Sequence, residues 1–528
     1  MKFYNAILDF FQEKNIKTVF SYPGEQILPL YNALNESSDI KNIMVRHEQA
    51  AAHAADGYSR ITNYLGVCLA TAGPGATNLT TGIATAYKDS SSVIYITGRC
   101  NRKYLDKNYF QEMPMDFLNI YKGYFIDSGD INYFEKAFSE TLDSKKPIHL
   151  NIPADVLNSN LENYNISHRN SIHENIDDDK DSTYQHIIKT KNINKPLLLI
   201  GQGIYGKLSY KEMLKINEIL KNSTIPIATT YPARGVIDEN NEKCLGLVGR
   251  RGTYLANNYL LECDAIFSIG ASFSYNTIPE SIRDRIFPKI IDLKVKINNI
   301  NEINVLMEEL NSLDYNVNET TSKELKIDDK AKNYKNIKLG DQNKVKGCEI
   351  EVLLDYSSKI NEIIKNLPED TIITTDAGNH TVFVSLLKKC VAPRNIISSH
   401  SMGTMGFGLP CAIGVKFGCL DYKIDREVVS INGDGGFQMN MQELATISEN
   451  NLKILIIVMK NNRLNVFGDI KNPDFNKIAD AYGIDNVYIE NIEDIGENVK
   501  YYLKNSKPYL MVIECENEKL PKPVFLDV

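Results

Sequence analysis

The chain has 528 residues, 43% of them hydrophobic, which predicts about three domains with sizeable cores. Its formal net charge of −8 argues against a nucleic-acid partner. No apolar run approaches the roughly 18 residues needed to cross a bilayer, and the 9 cysteines include no Cys-x-x-Cys pair; this fits reduced cytoplasmic thiols, not a disulfide frame, a zinc site or a membrane anchor.

The start, Met1 to Gln12, is amphipathic and carries no signal-peptide pattern. Up to about residue 160, short apolar strands alternate with helical patterns. Strands are predicted at Thr18–Phe20, Leu65–Ala70, Ser92–Thr97 and Ile148–Ile152. The polar stretch Asn158–Ser182, with Asp177-Asp-Asp-Lys-Asp181, reads as a linker. A second α/β segment, residues 185–315, opens on the strand Pro196–Ile200. The run Gly201-Gln-Gly203-Ile-Tyr-Gly206 follows that strand and matches Gly-x-Gly-x-x-Gly. No acidic residue is well placed at a following strand end, so a tight structural turn is the better reading than a dinucleotide site. A second polar stretch, Asn316–Lys346, precedes a third segment, residues 349–528. Alternating strands and helices in all three segments predict an α/β fold of three doubly wound parallel-sheet domains.

The third segment carries the most informative run, Glu427-Val-Val-Ser-Ile-Asn-Gly-Asp-Gly-Gly436. It reads as a strand ending in a glycine-rich turn that holds Asp434, with a helical stretch from Met439 to about Asn450. A buried strand, Ile454–Met459, then ends at Asn461, 27 residues after Asp434. Asp434 and Asn461 are thereby expected at the carboxyl ends of parallel strands, where open α/β sheets bind ligands. A carboxylate, an amide oxygen and a backbone carbonyl suit a hard cation, and glycines before a helix N-terminus suit a diphosphate. Gly-Asp-Gly alone also fits an ordinary turn; Asn461 and the motifs upstream shift the balance.

Those motifs are Tyr22-Pro-Gly-Glu-Gln-Ile-Leu-Pro-Leu-Tyr31, Arg46-His-Glu-Gln-Ala-Ala-Ala-His-Ala-Ala-Asp-Gly-Tyr58, Thr71-Ala-Gly-Pro-Gly-Ala-Thr-Asn78, Thr375-Asp-Ala-Gly-Asn-His380 and Gly403-Thr-Met-Gly-Phe-Gly-Leu-Pro410. In this order, and over nearly the whole chain, they resemble the acetolactate synthase-like family of thiamin-diphosphate-dependent enzymes. The resemblance implies a pyrimidine-binding domain over residues 1–160, a central domain over 185–315 and a diphosphate-binding domain over 349–528. It implies thiamin diphosphate and Mg2+ as cofactors. Asp434, Asn461 and the carbonyl of Arg463 would be the metal ligands. Pro23, Gly24, Pro74, Asn78, Gly378, Asn379, His380, Gly403, Met405, Gly433, Gly435 and Gly436 would contact the cofactor. Glu48 would be the carboxyl that hydrogen-bonds the aminopyrimidine ring and drives removal of the thiazolium C2 proton. Gln111, in Phe110-Gln111-Glu112, and Glu25 would lie near the substrate. Met405 would support the bent cofactor from below. Read singly, Glu48 suits a helix first turn, Met405 a core and His380 a surface.

The chain departs from the pattern in three places. Acetolactate synthases carry Gly-Ala-Arg-Phe-Asp-Asp-Arg after a central-domain strand; here the run is Gly270-Ala-Ser-Phe-Ser-Tyr-Asn276, and Asn276 cannot clamp a carboxylate as an arginine does. The loop after Asn462 is short, and the chain has no Trp. Position 25 is Glu, where the biosynthetic enzymes usually have Gly. These changes weaken the case for acetolactate as product and for FAD in the central domain. The expectation is a decarboxylase and carboligase acting on a small 2-oxo acid, pyruvate first, with a carbonyl acceptor, in a homodimer or dimer of dimers whose sites lie between subunits. A plain 2-oxo acid decarboxylase, a flavin-linked oxidase and a non-catalytic cofactor-binding regulatory protein remain as alternatives.

Overall fold

The computed structural model describes residues 1–161, 193–312, 353–464 and 467–521. Most of the polar stretch read as a linker, and all of the second polar stretch, lie outside them. Among the described residues three sheets are present, of six, five and six strands, and they are built from parallel pairings such as Thr18–Ser21 with Gly66–Ala70 and Val428–Gly433 with Leu455–Lys460.

The first sheet is built from β1 (Thr18–Ser21), β2 (Lys41–Met44), β3 (Gly66–Ala70), β4 (Val93–Arg99), β5 (Lys122–Phe125) and β6 (Ile148–Pro153), in the order β2-β1-β3-β4-β6-β5. The four strands expected from apolar runs all form. The two unforeseen ones, β2 and β5, are the sheet edges; edges need no continuous apolar run, and both are partly exposed. The amphipathic start becomes the helix Phe3–Glu13, whose Phe3, Phe10 and Phe11 pack edge-on against Phe134.

The second sheet takes β7 (Pro196–Ile200), β8 (Ile227–Thr229), β9 (Cys244–Leu247), β10 (Ala265–Ile269) and β11 (Ile290–Asp292) in the order β11-β10-β7-β8-β9. Its glycine-rich run after β7 is a single 3-10 turn, Gln202–Tyr205. A Cβ on Gly203 would lie 2.6 Å from the Gly270 Cα, and one on Gly206 1.9 Å from the Ile297 carbonyl oxygen. Backbone crowding therefore accounts for these glycines, as the structural reading expected.

The third sheet takes β12 (Ile372–Thr375), β13 (Ile396–Ser398), β14 (Val428–Gly433), β15 (Leu455–Lys460), β16 (Asp485–Ile489) and β17 (Tyr509–Glu514) in the order β13-β12-β14-β15-β17-β16. This repeats the strand order of the first sheet. Strand order reverses between β1 and β3 in one and between β12 and β14 in the other, and at such switch points a crevice opens beyond the strand carboxyl ends.

By contact density the described residues fall into two compact units. One takes in 1–161, 365–381 and the described part of 397–517 and holds the first sheet and nearly all of the third; the other holds the five-stranded sheet. Within the first unit, the helix Glu48–Thr62 lies against the helix Gly408–Tyr422. Small residues set the spacing: a Cβ on Gly57 would lie 2.4 Å from the Cys411 carbonyl oxygen, and one on Gly414 1.8 Å from that of Ala54. The described cysteines are all buried thiols, and among the described residues no helix is long and apolar enough to cross a membrane.

Candidate active site

The crevice of the first sheet gathers most of the residues expected around a pyrimidine. Glu48 opens its helix, next to the N-cap His47, whose Nδ1 accepts from the Gln49 N–H at 3.2 Å. The Glu48 side chain is buried. Asn78 Nδ2 donates to its Oε2 at 2.9 Å, and a Cβ on Gly75 would lie 3.1 Å from its Oε1. Pro74, exposed, starts the short helix Pro74–Thr77 that carries Gly75 and ends at Asn78. Gly24, after β1, abuts Thr71; a Cβ there would lie 2.3 Å from the Thr71 Cβ. The Thr71 hydroxyl in turn donates to Gln26 Oε1 at 3.0 Å. Gln111 lies on the Gly73 turn, its Cβ 2.8 Å from where a Gly73 Cβ would be. Its neighbour Glu112 is fully engaged: Arg99 pairs with it at 2.6 Å and the Cys100 thiol donates to it at 2.9 Å. Pro23 is half-buried, and Glu25, on the 3-10 turn Glu25–Ile27, is exposed.

The crevice of the third sheet gathers the rest. Here the structure corrects one expectation. The helix starts at Asp434 itself, not near Met439; it runs to Asn440, tightens through the 3-10 turn Met441–Glu443 and resumes over Leu444–Glu449. Two glycines in its first turn hid that start, because glycine disfavours helix. They are required by neighbours: a Cβ on Gly435 would lie 2.3 Å from Leu464 Cδ2, and one on Gly436 2.1 Å from Asp376 Oδ2.

Asp434 is buried and meets the tip of β15. Its Oδ1 accepts from the Gly435 N–H at 2.8 Å. Its Oδ2 accepts from the N–H groups of Asn461 at 3.2 Å and Asn462 at 2.7 Å, and from Asn472 Nδ2 at 2.7 Å. Asn461 Oδ1 faces the Arg463 N–H at 3.3 Å, and Arg463 forms an isolated bridge with Asp469. Asn472 is held by Gln438, which donates to its Oδ1 at 2.8 Å.

Met405 and Leu464 converge on Gly435, with Met405 Cε 3.6 Å from where a Cβ would stand. Gly403 has φ +69°, and no atom of the described residues lies within 4 Å of a Cβ built on it. Asn379 opens the helix Asn379–Leu387. His380 is buried against Gly378 and Gly433; a Cβ on Gly433 would lie 3.3 Å from its ring. Burial pushes the His380 pKa down to about 4, so the ring is neutral at pH 7, and among the described residues its Nε2 has no hydrogen-bond partner. Asp376, at the end of β12, is buried and pushed up to about 7 by that burial, although the Ala377 and Gly406 N–H groups donate to it at 2.7 and 3.0 Å.

Sequence reasoning singled out neither Gln26, Asp376, Gln438, Leu464 nor Asn472. Asp376 lay inside a motif already read and its acidity was a usable signal. Gln438 and Asn472 carried none, because they meet each other across 34 positions and Asn472 meets Asp434 across 38. Asn276 is exposed in the second unit, its carbonyl accepting from the Arg250 N–H at 2.8 Å.

Two parallel sheets with like crevices, one offering a buried Glu and the other an Asp–Asn pair at adjoining strand tips, define a cofactor-dependent α/β enzyme class. Comparison with known proteins agrees. Residues 1–120, 186–307 and 376–513 match the N-terminal TPP binding, central and C-terminal TPP binding domains of thiamine pyrophosphate enzymes, and the chain belongs to that family. It is 57% identical to an uncharacterized protein of Methanocaldococcus jannaschii over 99% of both chains. It is 33% identical to a probable acetolactate synthase large subunit of Methanococcus aeolicus (96% of this chain, 90% of the relative) and 31% identical to the acetolactate synthase large subunit of Cyanidium caldarium (97% and 92%).

Proposed function

We propose that the protein is a cytosolic carboligase dependent on thiamin diphosphate and magnesium. It decarboxylates a small 2-oxo acid, pyruvate first, and passes the two-carbon unit to a carbonyl acceptor that is not a second small 2-oxo acid. The observation that carries this reading is the buried carboxylate of Glu48, with Asn78 on one oxygen and bare Gly75 backbone beside the other. A protein that only bound the cofactor would have no use for it.

The residues present fit both cofactors. Asp434, Asn461 and the Arg463 carbonyl supply oxygen donors suited to Mg2+. The helix opening at Asp434 and the unsatisfied Nε2 of His380 suit a diphosphate, as does the turn Gly378-Asn379. The open space over Gly403 and the side chain of Met405 suit a flat ring and its support. When bound, the cofactor supplies a carbon nucleophile and an electron sink for decarboxylation. Glu48 holds and moves the proton at the aminopyrimidine, and Asn78 keeps its carboxylate oriented. Gln111, on the Gly73 turn, orients substrate, and Glu25 disfavours an anionic acceptor there.

The acceptor follows from what is missing. Without an arginine at position 276, an anionic acceptor loses a charge-assisted pair, about 1.5–3 kcal/mol, or roughly tenfold to a hundredfold in binding. The loop after Asn462 also closes on itself, with the Leu464 N–H on the Gly468 carbonyl at 2.8 Å and the Ile470 N–H on that of Asn462 at 2.9 Å. Neutral hydroxy-aldehydes or ketones should therefore be preferred. With labelled pyruvate alone, acetolactate should form slowly or not at all by mass spectrometry, and a panel of neutral carbonyl acceptors should give labelled products. Rapid, saturable acetolactate formation would sink this choice of acceptor.

The proposed assembly is a twofold dimer or dimer of dimers, in which Glu48 of one subunit serves the Asp434 site of its partner. The aromatic residues Phe110, Phe117, Tyr121 and Phe125, all exposed along one stretch, support a subunit contact. Sedimentation velocity should show no active monomer.

A further inference from the structure

The helix that begins with Glu48 lacks part of its own N-terminal cap. In a capping box, the third helical residue is Glu or Gln and reaches back to the N-cap N–H. Here that position is Ala50, which has nothing to offer. The N-cap His47 spends its side chain on the Gln49 N–H. A tie to the backbone just before the helix comes instead from elsewhere in the same compact unit. Glu443 is fully buried and ends the 3-10 turn that follows the Asp434 helix. Its Oε1 accepts from the Arg46 N–H at 2.9 Å, and the Thr446 hydroxyl donates to its Oε2 at 2.6 Å. The Arg46 guanidinium is turned aside to Glu449.

We propose that Glu443 is the positioning residue for Glu48. Its carboxylate holds the Arg46 N–H, two residues before Glu48, and so sets where the helix starts and where the Glu48 carboxylate points. The arrangement ties the segment that carries Asp434 to the segment that carries Glu48. This rests on the reading of Glu48 as the proton-handling group.

A simple buried tie would affect stability alone, so the test separates the two. In the apoprotein, Glu443→Ala should speed amide hydrogen–deuterium exchange in the peptide covering residues 45–52. In the holoenzyme it should slow C2–H exchange of bound thiamin diphosphate by about tenfold to a hundredfold, the scale of a catalytic group displaced by about an ångström. The Kd for thiamin diphosphate with magnesium should stay within about threefold of wild type, because no ligand of the diphosphate is removed. Glu443→Gln, which keeps one good acceptor, should fall between wild type and Glu443→Ala, and it serves if the alanine variant does not fold. Wild-type C2–H exchange in the folded variants overturns the proposal, as does a loss of affinity that matches the loss of exchange. Glu48→Gln is measured in parallel: if it too exchanges at the wild-type rate, the reading of Glu48 has failed, whereas slow exchange in Glu48→Gln alone means only Glu443 was misassigned.

Discussion

Asp434→Ala is expected to abolish magnesium-dependent binding of thiamin diphosphate. Altering a group that only orients a metal ligand already costs about tenfold to a hundredfold in affinity, so losing the carboxylate ligand should cost at least about a hundredfold. Isothermal titration of thiamin diphosphate, with magnesium and with chelator, measures it. The variant with magnesium should resemble wild type with chelator; wild-type affinity would remove Asp434 from the metal site. The same substitution should also destabilise the apoprotein. Asp434 accepts from the N–H groups of Gly435, Asn461 and Asn462 and from the Asn472 amide, and it is buried. Each donor left without a partner costs about 1–3 kcal/mol, less where water reaches it. The carboxylate therefore joins the tips of β14 and β15 before any metal arrives. Asp434→Asn keeps the volume and part of the acceptor capacity, so it should lose the metal with a smaller drop in melting temperature.

Glu48→Gln should leave cofactor affinity nearly intact and slow C2–H exchange of bound thiamin diphosphate by several decades. Loss of general acid–base help alone is worth about 10²–10⁴-fold, and an amide cannot shuttle the proton. Rapid-quench NMR in deuterium oxide reads the rate. The surroundings argue that a glutamine will fit: its carbonyl can keep the hydrogen bond from Asn78, and its amide can face Gly75, where no side chain stands in the way. A wild-type exchange rate would make Glu48 a structural carboxylate.

The core strands were legible because each is a buried apolar run in a parallel sheet. β3, β4 and β6 in the first sheet, and β14 and β15 in the third, are almost wholly buried, so their sequences read as continuous hydrophobic segments. Edge strands β2 and β5 face water on one side and carry Lys41, Asn42 and Lys122, so no such run marks them. The helix at Asp434 escaped for another reason. Its glycines disfavour helix locally and are imposed by Leu464 and Asp376, residues 29 positions downstream and 60 upstream of them.

By itself, the sequence determined the three α/β segments, the family resemblance and the chemical types at the candidate site: Glu48, Asp434, Asn461 and the glycine-rich turns. These follow from local pattern and short spacing, which a linear chain displays directly. Only the tertiary structure decided which groups meet. It alone brings Asn472 and Gln438 to Asp434, lays Gln111 on Gly73, buries Asp376 between two loops and sets Glu443 against the backbone before Glu48. Such contacts join residues up to hundreds of positions apart. A buried donor must find an acceptor wherever the packing of the fold provides one, and that requirement leaves no periodicity in the chain to read.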